Sequence, residues 1–118
     1  MTKTILVSGC TKGIGLAIVN KFAEMGFDIA GCARTKGEIT QLQLDLSKQY
    51  PNQKFFFEVC DVRNKEVLKT FAHTVMEEFR QVDVLVNNAG IFIPGQIIMK
   101  RKAFLNKLWK QMLAVLTI

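Results

Sequence analysis

The sequence has few of the residues that build disulfide frameworks or metal sites. Its three cysteines, Cys10, Cys32 and Cys60, are odd in number, lie far apart and form no CxxC pair, and its single histidine is His73. Disulfide scaffolds and zinc sites need paired or closely spaced ligands of these types, so the pattern argues against both. We expect reduced thiols.

Long apolar runs are also lacking. The run TILV at residues 4–7 is too short for the core of a signal peptide, and no stretch approaches the roughly 20 apolar residues of a membrane span. We therefore expect a cytoplasmic protein. With 49% hydrophobic and 22% charged residues, a chain of 118 residues suits one soluble globular domain.

Acidic residues are missing from segment 100–118, which nevertheless carries five lysines and arginines. Residues 1–99 hold 11 basic and 10 acidic residues, so most of the net charge of +6 comes from the C-terminal segment. A nucleic-acid surface covering the whole molecule is therefore not indicated. Apolar residues at helical spacing make the segment basic and amphipathic. We expect it to cover the sheet; the alternative is that it binds an anionic membrane or an acidic partner.

Strand and helix patterns alternate along the rest of the chain. Strands are predicted at 3–8, 28–33 and 54–59, a fourth strand that runs into a polar turn is predicted within 82–90, and helices are predicted at 14–25, 36–49 and 64–80. Strands separated by helices form βαβ units with right-handed crossovers, which predicts an α/β fold with a Rossmann-type parallel half-sheet of order 3-2-1-4. The last strand would lie at an edge of this sheet, where it would favour aggregation and low stability.

The helices have predicted inner faces. These are Ile14, Ala17, Ile18, Phe22 and Met25 in the first helix, Ile39, Leu42, Leu46 and Gln49 in the second, and Val67, Leu68, Phe71, Val75, Met76 and Phe79 in the third.

Three glycines follow the first strand in the segment SGCTKGIG at 8–15. A turn between a strand and a helix places backbone N–H groups and a helix N-terminus at one point, which favours a pyrophosphate. We expect Gly9 to allow the tight turn, Gly13 to let the backbone approach phosphates, and Gly15 to let the helix pack closely on the strand.

The spacing Gly-x3-Gly-x-Gly, with DV at 61–62 and NNAG at 87–90, resembles the short-chain dehydrogenase/reductase family over residues 3–99. Ser8 stands where the family motif usually has threonine. The resemblance implies a Rossmann fold, a nicotinamide cofactor and interconversion of carbonyls and alcohols by hydride transfer. Full-length members are homo-oligomers, and no nucleic-acid partner is implied.

The resemblance also assigns roles to residues. Asn87 would chiefly stabilise the sheet, and Asp61 could instead be a simple cap of the following helix. The residues implied in cofactor binding are Gly9, Thr11, Lys12, Gly13, Ile14 and Gly15 at the phosphates, Asp61 and Val62 at the adenine, and Asn88, Ala89 and Gly90 under the ribose.

The end of the second strand bears on cofactor choice. Enzymes that prefer NAD usually carry an acid there, which binds both ribose hydroxyls. Here Ala33 is followed by Arg34, and Lys12 lies just before the second motif glycine. Two cations without an acid favour NADP over NAD, because they suit a 2′-phosphate. The alternative is that both cations are merely solvated.

The catalytic Tyr-x-x-x-Lys pair of the family has no suitable counterpart. The only tyrosine is Tyr50; it has Lys54 at the right spacing, but the pair falls between the second helix and third strand. No catalytic residue is assigned.

Segment 100–118 also departs from the family's fourth helix, and a reading-frame slip is favoured over truncation or a true short form. Three classes stay open: an enzyme family member, a cofactor-binding module without catalysis, and a short form that binds membranes or partners through its tail.

Overall fold

A computed structural model describes residues 2–61 and 63–87, and the backbone of 90–92. Strands and helices alternate in it as far as residue 87. The elements are β1 (Thr4–Ser8), α1 (Gly13–Glu24), β2 (Asp28–Ala33), α2 (Lys36–Gln49), β3 (Phe55–Val59), α3 (Lys65–Phe79), β4 (Val84–Asn87) and β5 (Gly90–Phe92).

The strands of this part of the chain form one sheet of order β3-β2-β1-β4-β5. The first four are parallel, which confirms the predicted Rossmann-type order 3-2-1-4. The predicted fourth strand corresponds to β4, which ends at Asn87, and the backbone returns as antiparallel β5, a strand that was not predicted, with Asn87 opposite Gly90. The expectation that this strand lies at the sheet edge was therefore wrong: β5 pairs with its outer side.

Strand β1 lies at the centre of the core, and all five of its residues are buried. Its side chains alternate between the two faces of the sheet. Ile5 and Val7 pack in the cluster that contains residues of α1 and α2, whereas Leu6 packs in the cluster that contains the inner face of α3. A strand covered on both faces needs a continuous apolar sequence, which the run ILV supplies.

The inner faces of α2 and α3 largely follow the predictions. Leu68, Phe71, Val75 and Met76 of α3 are buried, but Val67 is 40% exposed and Ala72 is buried instead. In α2 the three predicted apolar residues are buried, while Gln49 is exposed.

The predicted face of α1 was wrong. Val19 and Ala23, four residues apart, are buried, whereas Ile14 is 80% exposed and Met25 57% exposed. Because a helix turns by about 100° per residue, Ile14 lies on the side opposite Ala23. Ala17 is exposed as well, while Ile18 and Phe22 are partly buried.

Several predictions fall outside the described residues. Val62, Asn88, Ala89 and the segment 100–118 belong to this group, and Gly90 is described only as the first backbone position of β5. In the portion of the chain that is described, no helix is both long and apolar enough to cross a membrane.

Candidate functional site

A cleft of about 400 Å³ opens where β1, β2 and β3 end. In parallel α/β sheets the carboxyl ends of the strands are the usual position for ligands. Three chain segments contribute to it, one after each of these strands. Its lining residues are Gly9, Thr11, Lys12, Cys32, Ala33, Arg34, Thr35, Glu38, Cys60, Asp61 and Arg63.

The glycine turn forms one wall of the cleft. Gly9 and Gly13 have φ angles of 66° and 57°, in the left-handed region that favours glycine. The backbone N–H groups of Gly9 and Cys10 donate to the carbonyl oxygen of Cys32, at 2.8 and 3.2 Å, which fixes the turn against β2. A Cβ at Gly15 would overlap the carbonyl oxygen of Gly9, so the close packing predicted for Gly15 is against this turn.

The N-terminus of α1 points its first N–H groups towards this wall. Lys12 is the N-cap residue with an extended backbone, and its side chain makes no cap hydrogen bond. The first turn of α1 contains no acidic residue. A helix start of this kind keeps donors and a partial positive charge available for an anion.

Glu38 lies in the first turn of α2 and contacts the glycine turn. Its Oε1 accepts a hydrogen bond from Thr11 Oγ1 at 3.1 Å, and its Oε2 lies 3.4 Å from Lys12 Nζ. The end of β2 itself carries no acid, as expected, but the sequence did not identify Glu38 as the acid that contacts this turn. Glu38 is the third residue of α2, whose N-cap Thr35 directly follows Arg34, and an acid in the first turn of the helix after β2 was the signal that could have identified it.

Asp61 and Arg63 form the wall beyond β3. Asp61 Oδ1 accepts from the Arg63 backbone N–H at 3.0 Å and from Nε at 3.1 Å, and Oδ2 accepts from Nη2 at 2.8 Å. These hydrogen bonds lower the pKa of Asp61 to about 2. The alternative of Asp61 as the helix cap was wrong, because Asn64 caps α3 by accepting from the Val67 N–H. Arg63 was not identified from the sequence.

Arg34 differs from the other two cations of the cleft. Lys12 and Arg63 each have a carboxylate partner, whereas Arg34 has none within 4.0 Å among the residues described. It is exposed and follows Ala33 at the end of β2. Of the three cations that line the cleft, Arg34 is therefore the one without an ion pair among the residues described.

Two cysteine side chains, Cys32 and Cys60, form part of the floor of the cleft, and Cys10 is buried nearby. Burial raises the pKa of Cys10 to about 12. The hydrogen bond with the Cys60 thiol, together with burial, raises the pKa of Cys32. Because the thiolate is the nucleophile, a raised pKa disfavours nucleophilic reaction at Cys10 and Cys32.

The pair Tyr50 and Lys54 lies away from the cleft. Tyr50 is the C-cap of α2 and precedes β3, so it lies at the amino ends of the strands. Lys54 Nζ pairs with Glu78 Oε2 at 2.9 Å. Neither residue lines the cleft.

The fold and the glycine turn can be compared with known proteins. A sequence model described as short chain dehydrogenase matches residues 3–117. The chain belongs to the short-chain dehydrogenase/reductase family. This family consists of oxidoreductases that bind a nicotinamide cofactor. The match extends past residue 99, where the sequence analysis ended the resemblance.

Individual family members are similar over the same region. The NADPH-dependent pterin aldehyde reductase of Arabidopsis thaliana is 34% identical over 88 residues, which is 75% of this chain and 35% of that protein. An NADPH-bound short chain oxidoreductase of Pseudomonas aeruginosa is 33% identical with a TM-score of 0.70, over 75% of this chain and 34% of the other. An alcohol dehydrogenase of Thermococcus sibiricus complexed with 5-hydroxy-NADP is 27% identical with a TM-score of 0.72, and the match covers 95% of this chain and 55% of the other. The chain thus spans about a third of the curated relative's length.

Proposed function

We propose that the cleft binds NADP(H), and that the whole protein is an oxidoreductase that interconverts carbonyls and alcohols. The observation that carries this proposal is that an α1 N-terminus without a side-chain cap and Arg34, which forms no ion pair with the residues described, lie at the same end of the sheet. A bound nicotinamide would supply or accept the hydride. The described residues would hold the adenosine and phosphate parts.

The glycine turn would hold the pyrophosphate. Its fit rests on the helix start without a side-chain cap or first-turn acid, which leaves N–H donors for phosphate oxygens. Gly13 supports the fit because a Cβ there would have no atom within 4 Å, so the backbone faces open space. We assign to this region Gly9, Thr11, Lys12, Gly13, Ile14 and Gly15.

The wall beyond β3 would hold the adenine. Three donors of Arg63 already occupy the Asp61 carboxylate, but a carboxylate has about four acceptor positions, so one remains for the exocyclic amine. Val62 would complete this contact. Asn88, Ala89 and Gly90 are proposed to lie under the ribose on the motif alone.

Arg34 would bind the 2′-phosphate and stack on the adenine, which favours NADP over NAD. A guanidinium is suited to both contacts, because it is planar and presents a fork of donors. The NADPH-dependent reductase and the NADPH-bound oxidoreductase among the relatives support this preference. We further propose that residues 1–99 form the dinucleotide-binding half-domain, that 100–118 form a separate basic tail, and that the protein acts in the cytoplasm.

Titration calorimetry tests the proposal. The purified 118-residue chain is titrated with NADPH and with NADH at the same ionic strength. We expect both to bind and NADPH to bind more tightly. Equal affinities would contradict the NADP preference. If neither nucleotide binds, the cofactor site itself is contradicted.

A further inference from the structure

Among the residues described, Glu38 is the carboxylate that contacts the glycine turn across the cleft. Its two oxygens contact two different residues of that turn, Thr11 at 3.1 Å and Lys12 at 3.4 Å. The Glu38 side chain is 35% exposed and that of Lys12 is 77% exposed. The contact is therefore open to solvent and can be exchanged for a contact with a ligand.

The charges of the cleft nearly cancel because of Glu38. Among the lining residues, the cations Lys12, Arg34 and Arg63 face the carboxylates Glu38 and Asp61. Two of the cations are paired, which leaves one positive charge at Arg34. A phosphate monoester carries a charge of about −1.5 to −2 at neutral pH, so one uncompensated cation does not neutralise it.

From this arrangement we infer that Glu38 is a specificity residue that restrains the preference for NADPH over NADH, by holding Lys12 and the Thr11 hydroxyl away from the 2′-phosphate. The inference rests on the proposed function of the cleft. A 2′-phosphate beside Arg34 approaches the Glu38 carboxylate, which repels it, and competes with Glu38 for Lys12. A 2′-hydroxyl carries no charge and meets neither effect.

The substitution Glu38→Gln tests this role, because it removes the charge and keeps the size. Titration calorimetry uses 2′,5′-ADP and 5′-AMP, which differ by the phosphate in question and lack the nicotinamide. We expect Glu38→Gln to increase the affinity for 2′,5′-ADP about five- to tenfold, equivalent to about 1–1.4 kcal/mol. The affinity for 5′-AMP should remain unchanged. The double substitution Lys12→Met with Glu38→Gln should lose most of this gain.

Glu24→Gln is the matched control. Glu24 is exposed and ends α1, about 18 Å along the helix from its N-terminus. The substitution therefore removes the same charge as Glu38→Gln, but far from the cleft. It should change neither affinity. Thermal unfolding of each variant checks folding, and Glu38→Ala provides a second variant with the same expected direction.

Each other outcome overturns the inference. An equal gain for both nucleotides would make Glu38 a general repulsive charge, and a loss of 5′-AMP affinity would make it a ligand of the ribose hydroxyls. If the unsubstituted chain binds 2′,5′-ADP and Glu38→Gln changes nothing, the inference fails while the proposed function stands. If the unsubstituted chain binds neither nucleotide, both fail.

Discussion

The Ser8 hydroxyl donates a hydrogen bond of 2.7 Å to the side-chain oxygen of Asn87, and the two residues are 79 positions apart. Both are buried, with 2% and 4% exposure. Ser8 ends β1 and Asn87 ends β4, so the bond joins neighbouring strands at the edge of the sheet where the cleft opens. This contact supports the interpretation that Asn87 stabilises the sheet.

Substitution Ser8→Ala should therefore reduce stability. It removes a donor from a buried side-chain oxygen, which typically costs about 1–3 kcal/mol. The free energy of unfolding is measured by urea denaturation. Ser47→Ala is the control, because Ser47 is exposed on α2. Removal of its hydroxyl should change the free energy of unfolding by no more than about 0.5 kcal/mol. Equal effects of the two substitutions would show that the Ser8–Asn87 bond contributes nothing of its own.

Gly15 in α1 and Gly37 in α2 are helical glycines with different surroundings, so they can be compared directly. Gly15→Ala should destabilise the chain by about 1–3 kcal/mol and weaken nucleotide binding, because its Cβ would overlap the Gly9 carbonyl oxygen. Gly37→Ala should stabilise it by about 0.5–1 kcal/mol, because a Cβ there meets no atom within 4 Å and alanine favours the helix. Urea denaturation measures both. A stabilising Gly15→Ala would contradict the described packing of the turn.

The sequence pattern predicts the parallel strands and helices well because each contains a periodic apolar pattern long enough to recognise. It does not predict β5, because a three-residue strand contains too little pattern to separate it from the preceding one. The face of α1 is misassigned for a different reason. Ile14, Ile18 and Phe22 form a helical stripe, but so do Leu16, Val19 and Ala23, and only packing on the sheet decides between them.

The cleft was only partly predictable. The glycine turn, Arg34 and Asp61 follow from motifs at fixed positions after strands. Glu38 and Arg63 belong to no such motif, but both line the same cleft. Glu38 lies in the first turn of α2, and Arg63 lies in the segment before α3. The pairing of Glu38 with Lys12 becomes evident only when the ends of β1 and β2 are brought together, whereas Arg63 pairs with Asp61 two residues before it.

Substitution Arg34→Asp should reverse the cofactor preference. The 2′-phosphate of NADPH would lose the least compensated cation of the cleft and meet an anion, so NADPH affinity should fall at least about tenfold, as for a lost charge-assisted contact. NADH affinity should be retained or rise, because an acid after β2 can bind ribose hydroxyls. Calorimetry with both nucleotides measures this. The control is Lys3→Asp, which makes the same change in charge at the opposite end of β1. An unchanged affinity ratio would remove Arg34 from the argument.

The contact between Asp61 and Arg63 predicts a pH dependence. Hydrogen bonds from Arg63 lower the pKa of Asp61 from 3.8 to about 2. A lowered pKa in the folded state means that the contact stabilises the fold above about pH 4. This stabilisation is lost as the pH falls from about 4 to about 2. Carboxyl carbon NMR of Asp61 follows the titration. Arg63→Met should return the pKa towards 3.8, whereas Lys48→Met, at an exposed position of α2, should leave it low. A pKa near 3.8 in the unsubstituted chain would show that the contact does not form in solution.

The last prediction concerns turnover by the 118-residue chain. The resemblance to the family implies a tyrosine as the proton donor, and the only tyrosine in the sequence, Tyr50, is partly buried against Phe55 at the end of the sheet opposite the cleft. We therefore expect the chain to bind NADPH without oxidising it when reactive diketones are added. Absorbance at the NADPH band measures consumption, and calorimetry on the same sample shows whether the nucleotide is bound. Tyr50→Phe should alter neither readout, because the hydroxyl is far from the bound phosphates. Diketone-dependent NADPH consumption that follows the chain through purification would contradict the prediction, and its loss in Tyr50→Phe would mean that this residue reaches the substrate after all.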